Sequence, residues 1–138
     1  MANTGRSTGE YRLWRQVEGR GAFARVRVEV SESESDSQAG VTWAVDPADE
    51  TSAQPNTDPD EVEAAVAGAQ EMLNLLSGIG IDTTGRTVDI AHVQLNVADS
   101  EPTAVRAAAA MATARAFEAA DRFKLTYDQG WQVRATDR

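Results

Sequence analysis

The 138-residue chain contains no cysteine. That absence excludes disulfide frameworks, thiolate zinc sites, cysteine nucleophiles and iron–sulfur ligation together. It has a single histidine, His92, and only 6% aromatic residues. A lone histidine in strand-like company, with no orienting partner or nucleophile in its pattern, reads as structural or solvent-facing. No apolar run approaches the roughly 18 residues of a membrane helix, and the N-terminus lacks the basic-then-apolar order of a signal peptide. The expectation is a cytoplasmic protein with no membrane partner. Gly19-Arg20-Gly21 is too short for a phosphate loop, and Gly78-Ile79-Gly80 follows a helix where a dinucleotide fingerprint follows a strand. Carboxylates are plentiful, but Asp82, Asp89 and Asp99 share no pattern. The sequence therefore predicts no enzyme, no metal and no cofactor.

What is present supports one domain. Hydrophobic residues make up 41%, enough for a core at this length. The formal charge of −9, from 13 Lys+Arg against 22 Asp+Glu, is unevenly laid out. Residues 1–27 hold six arginines and two acids, whereas residues 28–63 hold eleven acids and no base. Single-signed blocks of this kind predict solvated, flexible loops over 31–38 and 46–58. The overall acidity argues against DNA as a partner and leaves a local basic face able to meet phosphate.

Periodicity sets the elements. A polar, flexible N-terminus is expected over 1–9, and a single domain over 10–134. Glu10–Val17 reads as a strand, with Tyr11, Leu13 and Arg15 on one parity and Arg12 and Trp14 on the other. A turn at Glu18-Gly19-Arg20-Gly21 leads into the clearest strand, where Ala24, Val26, Val28 and Val30 alternate with Arg25, Arg27 and Glu29. Val41, Trp43 and Val45 form a third. Asp58-Pro59 opens a helix whose stripe runs from Val62 to Leu76 and which Gly78 and Gly80 close. Thr87–Val97 is a strand whose two halves bury opposite parities, which predicts a β-bulge near Ala91-His92. Asp99 or Ser100 caps a second helix, with Pro102 in its first turn and a stripe from Val105 to Phe123. Trp131 and Val133 allow a further edge strand or a covering tail. The order β-β-β-α-β-α, with that optional C-terminal strand, implies an α+β two-layer sandwich with both helices on one sheet face.

At the first hairpin the residues Arg15-Gln16-Val17-Glu18-Gly19-Arg20-Gly21-Ala22-Phe23, followed by the alternating strand to Val30, carry a family pattern. The pattern is Arg-Gln, two variable residues, Gly-Arg-Gly, one variable residue and an aromatic. Gly85–Ile90 and Ala112–Ala120 follow as second and third blocks in the same order. Together, over about residues 10–123, the chain resembles the fourth domain of bacterial elongation factor G and of the tetracycline-resistance ribosomal protection proteins. That resemblance implies the fold of a small-subunit ribosomal protein's second domain, including a left-handed β-α-β crossover between the third and fourth strands.

It also implies where function sits. In the family two tip loops approach the ribosomal decoding region. The first matches at Gly19, Arg20 and Gly21, with Arg15, Gln16, Arg25 and Arg27 nearby as further RNA or partner contacts. The second falls at Ala98–Thr103 and contributes Ser100, but the family's glycine-serine-tyrosine-histidine stretch is absent there. No GTPase domain accompanies these loops, so the expectation is a free-standing, non-enzymatic relative that contacts the ribosome or ribosomal RNA. The alternative is a protein-interaction module that keeps the fold without the RNA role.

Overall fold

The computed structural model describes residues 7–17, 20–32, 40–96 and 101–136. Its main sheet has four strands in the order β1-β2-β4-β3, where β1 is Ser7–Val17, β2 Arg20–Glu32, β3 Gly40–Trp43 and β4 Arg86–Leu95. β1, β2 and β4 pair antiparallel, and β3 lies parallel to β4, joined to it through helix α1 (Pro59–Gly78). Helix α2 (Pro102–Ala116) follows β4. The molecule is an α+β two-layer sandwich, with its core between the helices and one sheet face. Alternation places Leu13, Val26, Val28, Val30, Val88, Ile90 and Val93 inward, and all seven are fully buried. Each contributes on the order of 1.5–3 kcal/mol by leaving water.

The expected bulge is present. Arg27 pairs with His92 and Val28 with Ile90, so Ala91 is the extra residue. It resets the parity, which lets Ile90 and Val93 both face the core.

Several boundaries differ from expectation. β1 begins at Ser7, within the segment expected to be a flexible N-terminus, because its first residues dock on α2: the Ser7 hydroxyl donates to the Ala116 carbonyl at 2.8 Å. Residues 1–6 lie outside the described residues. Arg20 and Gly21 are strand backbone paired with Val17 and Gln16, not turn residues, and the rest of the expected turn, residues 18–19, lies outside the described residues. The N-cap position of α2 is Glu101, with no side-chain cap bond, and the candidates Asp99 and Ser100 lie outside the described residues.

α2 is not a one-sided stripe. Its alanines are buried all round, as is Met111, because the helix lies between the sheet, α1 and a second, two-stranded sheet. That sheet is the hairpin of β5 (Phe123–Tyr127) and β6 (Trp131–Ala135). Phe123, expected on the helix, thus belongs to a strand, and Trp131 and Val133 pair with β5 and not with the main sheet. Phe123, Trp131 and Val133 are buried, and the Trp131 backbone N–H donates to Thr103 Oγ1 at 3.0 Å.

The acidic segment 46–58 is also not a free loop. Its carboxylates turn inward to its own backbone: Asp46 accepts from Ala48 N–H, and Asp49 from both the N–H and hydroxyl of Thr51. The Gln54 amide donates to the carbonyls of Asp46 and Asp49. The segment then continues the β4 edge where β3 stops, since Ala53 N–H donates to the Val93 carbonyl at 2.7 Å and Val93 N–H to Ser52 Oγ at 3.0 Å. Ser52 and Ala53 are buried there. The other acidic stretch lies mostly in 33–39, outside the described residues.

Candidate functional site

The β1–β2 hairpin outruns the rest of the sheet. β4 pairs with β2 only as far as Ala24↔Leu95, whereas the hairpin goes on through Trp14↔Phe23, Arg15↔Ala22, Gln16↔Gly21 and Val17↔Arg20. Among the described residues no third strand accompanies these four pairs, so the hairpin ends as a two-stranded ribbon. Trp14, Arg15 and Gln16 are exposed on it. Arg15 shares the parity of buried Leu13, while Trp14 and Gln16 lie on the open face, the side of the sheet away from the helices.

The residues singled out from the sequence do not form one patch. Arg15, Gln16 and Gly21 belong to the ribbon, and Arg20 is placed there by its backbone. Arg25 and Arg27 sit further down, over the middle of the open face, where Arg25 pairs across to Arg12 and Arg27 to Glu10. The Arg25 guanidinium forms an ion pair with the Glu10 carboxylate. Gly19 and Ser100 lie outside the described residues.

Two groups of residues carry no sequence motif. On the open face, Arg12, Trp14 and Gln94 join Arg25: Arg12 lies 5.2 Å from the Trp14 ring centroid, and Gln94 Oε1 is 3.5 Å from Arg25 Nη1. Strict alternation carries this signal, because Arg12 and Trp14 share the parity opposite to Leu13. At the edge of β1, Arg115 from α2 donates to the Glu10 carbonyl at 2.8 Å and lies 4.8 Å from the Tyr11 ring. It blunts an edge that would otherwise offer free carbonyls.

The second group surrounds His92. Its Nε2 is 2.9 Å from Thr51 Oγ1 and 3.7 Å from Asp49 Oδ2. The Thr51 hydroxyl gives its proton to Asp49, so Oγ1 accepts from His92 and the ring carries its hydrogen on Nε2. Hydroxyl and carboxylate thus meet the same ring nitrogen, which is not the arrangement of a base held between acid and nucleophile. Hydrogen bonds from Thr51 hold the Asp49 carboxyl below the usual carboxylate range, with smaller contributions from His92 and Arg27. The cluster fastens the acidic loop across the bulge. Among the described residues no group of three His, Asp or Glu side chains has the geometry to hold a metal ion.

No protein-family model matches the chain. No curated protein matches its sequence either. Its fold, by contrast, is similar to part of a crystal structure of a Thermus thermophilus protein, at 18% identity and a TM-score of 0.66. The match covers 83% of this chain and 16% of that one, so the chain spans about a sixth of that protein's length. Among the described residues no helix is long and apolar enough to cross a membrane.

Proposed function

We propose that the chain is a non-enzymatic domain that contacts the ribosome or ribosomal RNA through the end of the β1–β2 hairpin, as its resemblance to the fourth domain of elongation factor G implies. The observation that carries this reading is the ribbon that no third described strand accompanies, with Arg15 and Gln16 exposed on it opposite Ala22 and Gly21. A two-stranded ribbon reaches into a groove or loop that a flat sheet cannot enter, and arginine forks match phosphate oxygens. The parallel β3-α1-β4 unit and the bulged β4 supply the sheet from which the ribbon extends.

The test is co-sedimentation with ribosomes over a salt series. The expected result is binding that weakens with salt and is reduced about tenfold or more in the Arg15→Ala/Arg20→Ala double variant. Its salt slope falls by roughly two, as loss of two phosphate contacts requires. Equal binding by wild type and double variant overturns the proposal. So does recovery of a protein partner, unchanged by nuclease treatment, in place of ribosomes.

A further inference from the structure

Trp14 is 67% exposed. A single exposed apolar side chain is ordinary on a protein surface, but this indole has company of a particular kind. Arg12 lies against its ring, Phe23 stands opposite it across the hairpin, and the next outward pair is Arg12↔Arg25. Beside that pair a cleft of about 320 Å³ is lined by Glu10, Arg12, Arg25 and Arg115. Three guanidinium groups share the cleft with one carboxylate, in a chain whose net charge is −9. Two of the three are already held in place, Arg25 by Glu10 and Arg115 by the Glu10 carbonyl and the Tyr11 ring. Pre-set guanidinium groups lose little freedom when they take up an anion.

We infer that this open face is a stacking platform for single-stranded RNA, with a base on Trp14 and an adjoining phosphate in the cleft of Arg12, Arg25 and Arg115. The inference rests on the hairpin being an RNA contact, but it assigns the ligand to the stem's open face and not to its end. Local charge complementarity selects a polyanion. An exposed indole beside arginine selects unpaired bases, whose faces are free, over a duplex whose bases are stacked on one another.

A fluorescently labelled RNA octanucleotide, single-stranded or annealed to its complement, tests this by anisotropy. The single strand is expected to bind, and the duplex to bind at least tenfold more weakly. Trp14→Ala is expected to weaken single-strand binding roughly 5- to 150-fold, the range for loss of one stacked base, while Trp14→Phe restores most of it. A thermal melt of each variant separates loss of stacking from loss of the Trp14–Phe23 cross-strand pair. Equal affinity of wild type and a folded Trp14→Ala variant, or equal affinity for strand and duplex, overturns the platform. The two proposals fail separately. Ribosome binding sensitive to Arg15 and Arg20, with oligonucleotide binding indifferent to Trp14, leaves the ribbon end standing and removes the platform. The reverse pattern removes the ribbon end.

Discussion

Gly68 shows how closely the two helices approach. A Cβ built at this position in α1 would lie 2.0 Å from the carbonyl oxygen of Arg106 in α2, an overlap with backbone that no rotamer relieves. Gly9 does the same for β1, where a Cβ would meet the Ala112 carbonyl oxygen at 2.1 Å. The alanines of α2 follow from these contacts: larger side chains would push its neighbours away. Gly68→Ala gains about 1 kcal/mol of helix propensity but forces an overpacking cost of roughly 1–3 kcal/mol or more. The expected outcome is a net loss of up to about 2 kcal/mol in urea unfolding. Gly78→Ala in the same helix, where nothing lies within 4 Å, is expected to be neutral or mildly stabilising. Equal effects of the two substitutions would contradict this account.

Asp49 carries a second residue-scale prediction. Its folded-state pKa is lowered, so the ionised form is favoured by folding. The resulting stabilisation is present above the unfolded pKa and is lost as pH falls through the folded one. Wild type should therefore lose stability on acidification from about pH 5 downward. Asp49→Asn should start less stable at neutral pH and show a shallower acid limb, read from thermal melts at a series of pH values.

At the scale of elements, the two helix ends use the same device with different residues. α1 ends in a Schellman motif, with Ile81 N–H on the Leu76 carbonyl and Gly80 at φ +91°. α2 ends likewise, with Ala119 N–H on the Ala114 carbonyl, but the left-handed position is Glu118 at φ 60°. A Cβ there is strained by roughly 1–2 kcal/mol, and the Glu118 side chain is exposed. Glu118→Gly should therefore stabilise the protein by about 1 kcal/mol, less whatever the unfolded chain regains in freedom, and raise its melting temperature by a few degrees.

Elements with a strong, uniform period are legible from sequence. β2 alternates without interruption, and the parity conflict between Val88/Ile90 and Val93/Leu95 has only one local resolution, the bulge at Ala91. The C-terminal hairpin is not legible, because Phe123 falls in step with the α2 stripe and a helical period does not report where a helix stops. The loop over 46–58 escapes for a different reason. A run of acids signals solvation only when its oxygens face water, whereas Asp46 and Asp49 spend theirs on the loop's own N–H groups and small Ser52 fits against β4.

For the whole molecule, the charge pattern resolves into two structural roles. Negative charge on 46–58 closes a loop, and positive charge from residues distant in sequence gathers around Glu10. Arg12 and Arg25 come from neighbouring strands and Arg115 from α2, so no sequence window contains the cluster. The ribbon end is readable from a contiguous motif. The platform needs the strand register to bring Arg12 beside Arg25 and the packing of α2 to bring Arg115 to the edge of β1.

The bond from Ser7 to Ala116 spans 109 positions of chain. During synthesis the start of β1 can pair with β2 early but must wait for the last turn of α2 before it docks there. At about 5–20 residues per second that is a delay on the order of 5–20 s. Throughout it the valines of β2 lack the helix that later shields them, so the inner face of the sheet stays open to water until α2 is complete.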